Sequence, residues 1–379
     1  MLAAAVLILL AGCTGGGHSA PTGGTTTTPP TGRSRVLPVR VVLPQLEHFV
    51  EQERGLTFKR PVKVQLLGRK AFVAKLDEGQ KKPKASEVEK ETAVLASLGL
   101  ISPHVDLVRA FRTATDAGTL GFYSFKTKRL YVRGTRATPG VRAVLTHELT
   151  HALTDQWFGL RRKGLNKGNL ELQTGFTALT EGDAERTRVA YEHTLSPADR
   201  RIAQREEGGN SKPPPVPRVV LELIGFPYAV GPRFVDALVT QGGLAELNNA
   251  YRHPPTSSEQ LIDPQTYFSR DQPKHVAKPR ADGPIVDHGD LGLIGLLLML
   301  EHRLDRPTSG RAVIGWGGDE FTAWRAGDHR WCLRDTVVMD YGAALSALAG
   351  ALTQWAAKSG GLAHVEQVGS SVTFRTCSG

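Results

Sequence analysis

Apolar residues recur along this chain at two periods, and each period predicts its own element. From Pro44, "PQLEHFVEQERGL" spaces its apolar residues as one face of a helix and stops at Gly55, "PVKVQLLG" alternates as a strand does, and "ASEVEKETAVLASLGLI" returns to helical spacing. The polar run Asp77 to Ala85, "DEGQKKPKA", predicts a loop leading into that second helix. "LGFYSFKTKRLYVRG" predicts a hairpin: an aromatic strand, a turn near Lys126 to Lys128, and a second strand, Leu130 to Arg133, expected at the edge of a small sheet. A helix should follow, because Thr138 suits an N-cap, Pro139 suits the first turn, and Val141, Val144, Leu145, Ala152 and Leu153 line one face.

After the polar "RRKGLNKGN", a further helix is expected from about Leu170 to His193, with Leu172, Phe176, Leu179 and Val189 as apolar positions. The Pro-rich stretch Ser211 to Arg218 breaks the chain, "LIGFPYAVGPRFVDALVTQGGLAELNNAY" is mainly helical, and "RHPPTSSEQLIDP" reads as a loop. "DLGLIGLLLMLEHRL" is apolar for only ten residues, so it predicts a buried core helix, capped by Asp290, rather than a membrane span, which takes about 20. The last hundred residues mix helical runs with strand-like ones such as "HVEQVGSSVTFRT". The expected architecture is α+β and mainly helical, with a small sheet whose edge strand precedes the helix that starts at Pro139. Residues 39–277 form the main domain, and 278–379 a mixed α/β subdomain packed on it.

The chain has 379 residues, 40% of them hydrophobic and 22% charged, which is ample for a large core. Its formal charge of +10 does not point to nucleic acid, because the basic residues are scattered and no recognition motif accompanies them. The N-terminus changes the picture more. "MLAAAVLILLAGC" is an apolar run of signal-peptide length, and Leu10-Ala11-Gly12-Cys13 resembles the lipobox of bacterial lipoproteins. That resemblance implies a signal peptide over 1–12, a lipid on Cys13, and anchoring to the outer face of the membrane. Residues 13–38, rich in Gly, Thr and Pro, cannot build a core and read as a flexible tether. The two other cysteines, Cys332 and Cys377, could then pair as a disulfide in an oxidising compartment.

The helix that starts at Pro139 carries "HELTH", with His147 and His151 four residues apart. That spacing puts both imidazoles on one face, where they can bind a single zinc ion. Glu148 adjoins them as a general base toward a zinc-activated water. A third ligand is needed, and no histidine occurs between His151 and His193. "ALTEGDAERT" offers Glu181 on the next helix, 30 residues on. Here the chain resembles the gluzincin branch of the zincin-like metallopeptidases, whose third ligand is a glutamate on the following helix. The resemblance implies that role for Glu181, with Asp183 as the alternative. Glu185 and Asp155, each about one turn from a proposed ligand, could steady a liganding histidine.

Taken in order, "HELTHALTDQ", "ALTEGDA", "FPYAVGPRFVDAL" and "PPTSSEQLIDPQTY" resemble a family of bacterial membrane-anchored zinc metallopeptidases over about Arg40 to Tyr267, with a weaker likeness in "GWGGDEF". This implies one zinc ion per chain and a protein or peptide substrate. Tyr228 and His253, in the later segments, are candidates to stabilise an oxyanion. The competing expectations are a surface-anchored binding or scaffold lipoprotein with a non-catalytic zinc site, and a zinc hydrolase acting on cell-wall amides.

Overall fold

A computed structural model describes residues 36, 38–79, 82–162, 170–207, 212–327 and 329–379. Cys13, the signal peptide and nearly all of the tether lie outside them.

The first half is helical around a three-stranded sheet. Helix α1 (Val39–Arg54) leads into β1 (Lys63–Leu67), followed by α2 (Arg69–Gly79), α3 (Ala85–Ser97), α4 (Leu107–Gly118), β2 (Gly121–Ser124) and β3 (Arg129–Arg133). The long helices come next: α5 (Pro139–Phe158), α6 (Leu170–Thr194), α7 (Pro197–Glu206) and α8 (Arg218–Arg252). Two short turns, α9 (Glu259–Ile262) and α10 (Pro264–Phe268), connect to the C-terminal half. There, β4 (Ile285–Gly289), α11 (Gly292–Glu301), α12 (Arg306–Val313), β5 (Trp316–Arg325), β6 (Trp331–Met339), α13 (Gly342–Ala357), β7 (Ala363–Val368) and β8 (Ser371–Cys377) form an antiparallel sheet in the order β4-β5-β6-β8-β7 with its helices. The chain is α+β, with small sheets.

Three expectations change. Strand Leu130–Arg133 is not an edge: β3 pairs parallel with β1 on one side and antiparallel with β2 on the other, in the order β1-β3-β2. The edge beside the helices is β2. A parallel partner some sixty residues away leaves no local signal, whereas a hairpin partner does. The run Asp77 to Ala85 is not all loop, since α2 extends through Gly79; burial of Phe72 and Leu76 against the sheet outweighs the weak helical pattern of its sequence. Finally, Asp290 does not cap the apolar helix. Asp319 does so from β5, accepting from Leu291 N at 2.6 Å and from Gly292 N at 3.0 Å.

Helix α5 is the centre of the first half. Thr138 caps it, and the Glu206 carboxylate, from α7, accepts from Gly140 N at 2.8 Å and from Thr138 Oγ1 at 2.7 Å. The negative charge thus sits at the positive end of the helix dipole. From Ala143 to Asp155 every residue is buried, because α1, α6, α7, β2 and β3 surround the helix. The polar stripe survives burial because Thr146, Thr150 and Thr154 each return a hydroxyl proton to the carbonyl four residues back, at 2.9 to 3.0 Å.

Helices α6 and α8 touch backbone to backbone. A Cβ on Gly182 would stand 2.3 Å from the Gly231 carbonyl, and one on Gly231 would stand 2.2 Å from Ala178 O. No other residue type fits either position without separating the helices. Further along, α8 bends sharply at Gly242 and Gly243, the latter with φ +65°, so that Asn248 and Tyr251 come back toward α6. The main apolar cluster runs from α3 and α4 through α6 and α8 into the C-terminal sheet, crossing the 277/278 boundary. No helix among the described residues is long and apolar enough to cross a membrane.

Candidate metal centre

Three side chains from α5 and α6 converge. His147 Nε2 lies 3.0 Å from His151 Nε2 and 3.1 Å from Glu181 Oε2, and His151 Nε2 lies 3.5 Å from the same oxygen. Helical spacing stacks the two histidines on one face, and the Gly182–Gly231 crossing presses α6 inward one residue after Glu181. Zinc bonds of about 2.0 to 2.1 Å at a tetrahedral angle would separate neighbouring ligand atoms by about 3.3 Å. The three distances bracket that value, so this group could hold a metal ion. The donor set, two imidazole nitrogens and one carboxylate oxygen, suits zinc.

The electrostatics agree with that chemistry. Burial lowers the pKa of His151, outweighing the opposite pull of Glu181, and the neutral imidazole is the form that binds metal. Burial would raise Glu181, but the two histidines hold it below the ordinary carboxylate range.

Glu148 is fully buried beside His147, and it packs on strand β2: a Cβ on Gly121 would stand 3.3 Å from its Oε1. Glycine at 121 therefore leaves room for Val144, which a Cβ would meet at 2.6 Å, and for the Glu148 side chain. A cavity of about 350 Å³ lies toward the N-terminal end of α5, lined by Leu120, Val141, Val144, Arg133, Arg136 and Glu207 among others but not by Glu148 or the His-His-Glu group.

The supporting positions divide. Glu185 faces His147 Nδ1 at 3.7 Å, and Arg188 holds both of its oxygens at 2.6 and 2.8 Å. Burial works against its charge, but Arg188 and His147 prevail and drive its pKa far down. Arg188 also bonds Glu192 and Glu207, so this carboxylate is fixed on the Nδ1 side of His147. The sequence reading did not single out Arg188, although its position three residues after Glu185 is a helical pairing signal.

Asp155 takes no part: its oxygens accept from Tyr123 Oη at 2.9 Å, Lys128 Nζ at 2.5 Å and Leu160 N at 3.0 Å, tying the C-terminal end of α5 to the hairpin. Asp183 is turned the other way. It accepts from Arg54 Nε at 2.9 Å and Tyr251 Oη at 2.7 Å, while Arg54 Nη2 reaches Asn248 at 3.0 Å. Two residues on from Glu181 is the wrong helical face for a shared ion. Arg54 had no sequence signal, since 129 residues separate it from Asp183.

Of the two oxyanion candidates, Tyr228 is brought to the group, its ring 6.4 Å from that of His147 at 27°. His253 is exposed at the end of α8, where its carbonyl accepts from Tyr267 Oη at 2.9 Å. Cys332 and Cys377 face each other across β6 and β8 and are joined by a disulfide.

The class that fold and site define is an α+β chain with a buried His-His-Glu group able to hold a metal ion. No protein-family model, no curated protein and no solved structure matches the chain.

Proposed function

We propose that this chain is a zinc-dependent peptide hydrolase of the zincin-like, glutamate-liganded kind, held at the outer face of a bacterial membrane by a lipid on Cys13. The observation that carries the reading is the triangle of His147 Nε2, His151 Nε2 and Glu181 Oε2, with Glu148 one residue from the first histidine. Three protein ligands suit a catalytic centre, because structural zinc sites close four.

A zinc ion bound there would supply Lewis acidity toward a scissile carbonyl and a water. Glu148 takes the proton from the attacking water and returns it to the leaving amine. Glu185 keeps His147 oriented through Nδ1, and Tyr228, whose ring lies 6.4 Å from that of His147, is the candidate donor for a developing oxyanion. Strand β2, an edge lying against Glu148, is where an extended substrate backbone can pair, and the cavity toward the N-terminal end of α5 can take a substrate side chain.

One observation favours a second reading, a scaffold lipoprotein with a non-catalytic ion. His147, Glu148 and His151 are each 0% exposed and Glu181 is 2% exposed, so a substrate needs α8 or the β2 edge to give way.

The test pairs metal content with mass-spectrometric detection of cleaved peptides, for wild type, Glu148→Gln and His147→Ala. A hydrolase predicts that Glu148→Gln keeps one zinc ion per chain and loses cleavage, while His147→Ala loses both. Zinc retained in full by His147→Ala sinks the ligand assignment. A zinc-loaded wild type that cleaves no denatured protein or peptide library supports the scaffold.

A further inference from the structure

A second group of oxygen donors lies far along the chain from the first. Glu259 on α9, Asp271 just beyond α10 and Asp340 at the end of β6 each offer a carboxylate oxygen, and these oxygens lie within 4.8 Å of one another. Acidic residues often gather at surfaces without a ligand, but Glu259 is largely buried. It is only 7% exposed, and among the described residues no hydrogen bond or ion pair reaches its carboxylate, which is aimed into the group. A largely buried carboxylate without a protein donor is left to water or to a cation.

Lys274 is the cation at hand, and it is committed to the neighbours: its Nζ donates to Asp340 Oδ1 at 2.7 Å and to Met339 O at 3.3 Å. When all three are ionised, three carboxylates against one ammonium leave a surplus of two negative charges. Glycine at 317 makes room for the Asp340 and Lys274 side chains at this point, since a Cβ there would stand 2.7 Å from Asp340 Oδ1 and 3.1 Å from Lys274 Nζ.

We infer that Glu259, Asp271 and Asp340 form a binding site for one hard divalent cation, calcium by preference, that fastens the α9–α10 connector to the C-terminal sheet. Oxygen-only donors select a hard cation. Calcium bonds of about 2.3 to 2.6 Å let two oxygens on opposite sides of one ion stand about 4.6 to 5.2 Å apart, which covers the spread seen here, whereas magnesium at about 2.0 to 2.1 Å draws its ligands closer. Asp271 and Asp340 reach solvent, so water can complete the shell. The site also bears on the first half of the molecule. Ser258, next to Glu259, binds the Glu171 carboxylate of α6 through its N–H at 2.6 Å and its hydroxyl at 2.8 Å. In the absence of a cation, burial and the neighbouring carboxylates push Glu259 up to about 8, the mark of a group short of positive charge.

The experiment uses the full chain loaded with zinc, in metal-stripped buffer at constant ionic strength, titrated with calcium chloride alone and followed by calorimetry and thermal unfolding. Wild type should bind one calcium ion with Kd of about 10⁻⁴ to 10⁻³ M, and its Tm should rise through that range. Glu259→Gln and Asp340→Asn should each weaken binding at least about tenfold, a loss of about 1.4 kcal/mol. Without calcium, Glu259→Gln should unfold no earlier than wild type, because the amide removes the repulsion. Zinc content should be unchanged in both variants. The inference is overturned if wild type shows no calcium-dependent rise in Tm up to about 10 mM, well above the expected Kd, or if Asp340→Asn and Glu259→Gln bind calcium as wild type does.

Discussion

Around His147, two imidazole nitrogens and a carboxylate oxygen gather 3.0 to 3.5 Å from one another. Around Glu171 and Asp319, equally buried carboxylates point instead at protein donors. Glu171 accepts from Ser258 N and Oγ, and Asp319 accepts from Leu291 N, Gly292 N and Trp316 Nε1 at 2.6 to 3.0 Å. Both regions bury ionisable groups, so burial does not tell them apart. What differs is where the lone pairs go: in the second they end on N–H and O–H groups, whereas in the first they meet one another and leave room for a cation. A perturbed carboxylate is therefore weak evidence of chemistry, and a convergence of ligand atoms at bonding distance from one point is strong evidence.

The same change, carboxylate to amide, should separate the two regions most sharply. Glu148→Gln should lower kcat/KM by about 10²–10⁴, the usual worth of a general base. Glu171→Gln should leave turnover unchanged, and comparable losses from both in steady-state assays would break the contrast. Next comes the pair that braces α6 from behind. Arg54→Met leaves Asp183 buried without its ion pair and should destabilise by about 3–5 kcal/mol in denaturant unfolding.

The third effect depends on pH. Burial pushes Glu171 up to about 8 and Asp319 up to about 7, so the folded state keeps these protons to higher pH than the unfolded chain does. Their contribution is complete below the unfolded pKa values of 4.5 for Glu171 and 3.8 for Asp319, and is lost as pH rises toward 8. Tm should fall from pH 5 to 8, by a few kcal/mol at most in stability, and Glu171→Gln should flatten the curve. A wild-type Tm that rises over this interval contradicts the assignment. Smallest is Glu185→Gln, expected to weaken zinc binding by about 10- to 100-fold in competition with a chromogenic chelator while the protein stays folded.

Much of the centre was legible. Thr138, Pro139 and the apolar spacing marked helix α5, and four-residue spacing put His147 and His151 on one face. Glu181 was legible by its place on the next helix, and the structure brings it to both histidines. The partners of Asp155 and Asp183 were not: each lay within a turn or so of a proposed ligand, yet each was claimed by groups distant in sequence, Tyr123 and Lys128 for one, Arg54 and Tyr251 for the other. Sequence distance along a helix tells which residues share a face, but not what stands opposite that face.

The edge strand makes the same point in the sheet. The hairpin was local and could be read, but the parallel pairing of β1 with β3 was not, and it moved the open edge from β3 to β2. By itself the sequence determined most of the elements and the candidate ligand types with their spacing, because those follow from backbone periodicity and side-chain chemistry within one or two turns. Only the tertiary structure decided which glycines let α6 and α8 meet, which carboxylates were neutralised by distant partners, and how close three ligand atoms came. Those outcomes depend on packing between segments more than forty residues apart, such as Gly182 and Gly231, which no local pattern encodes.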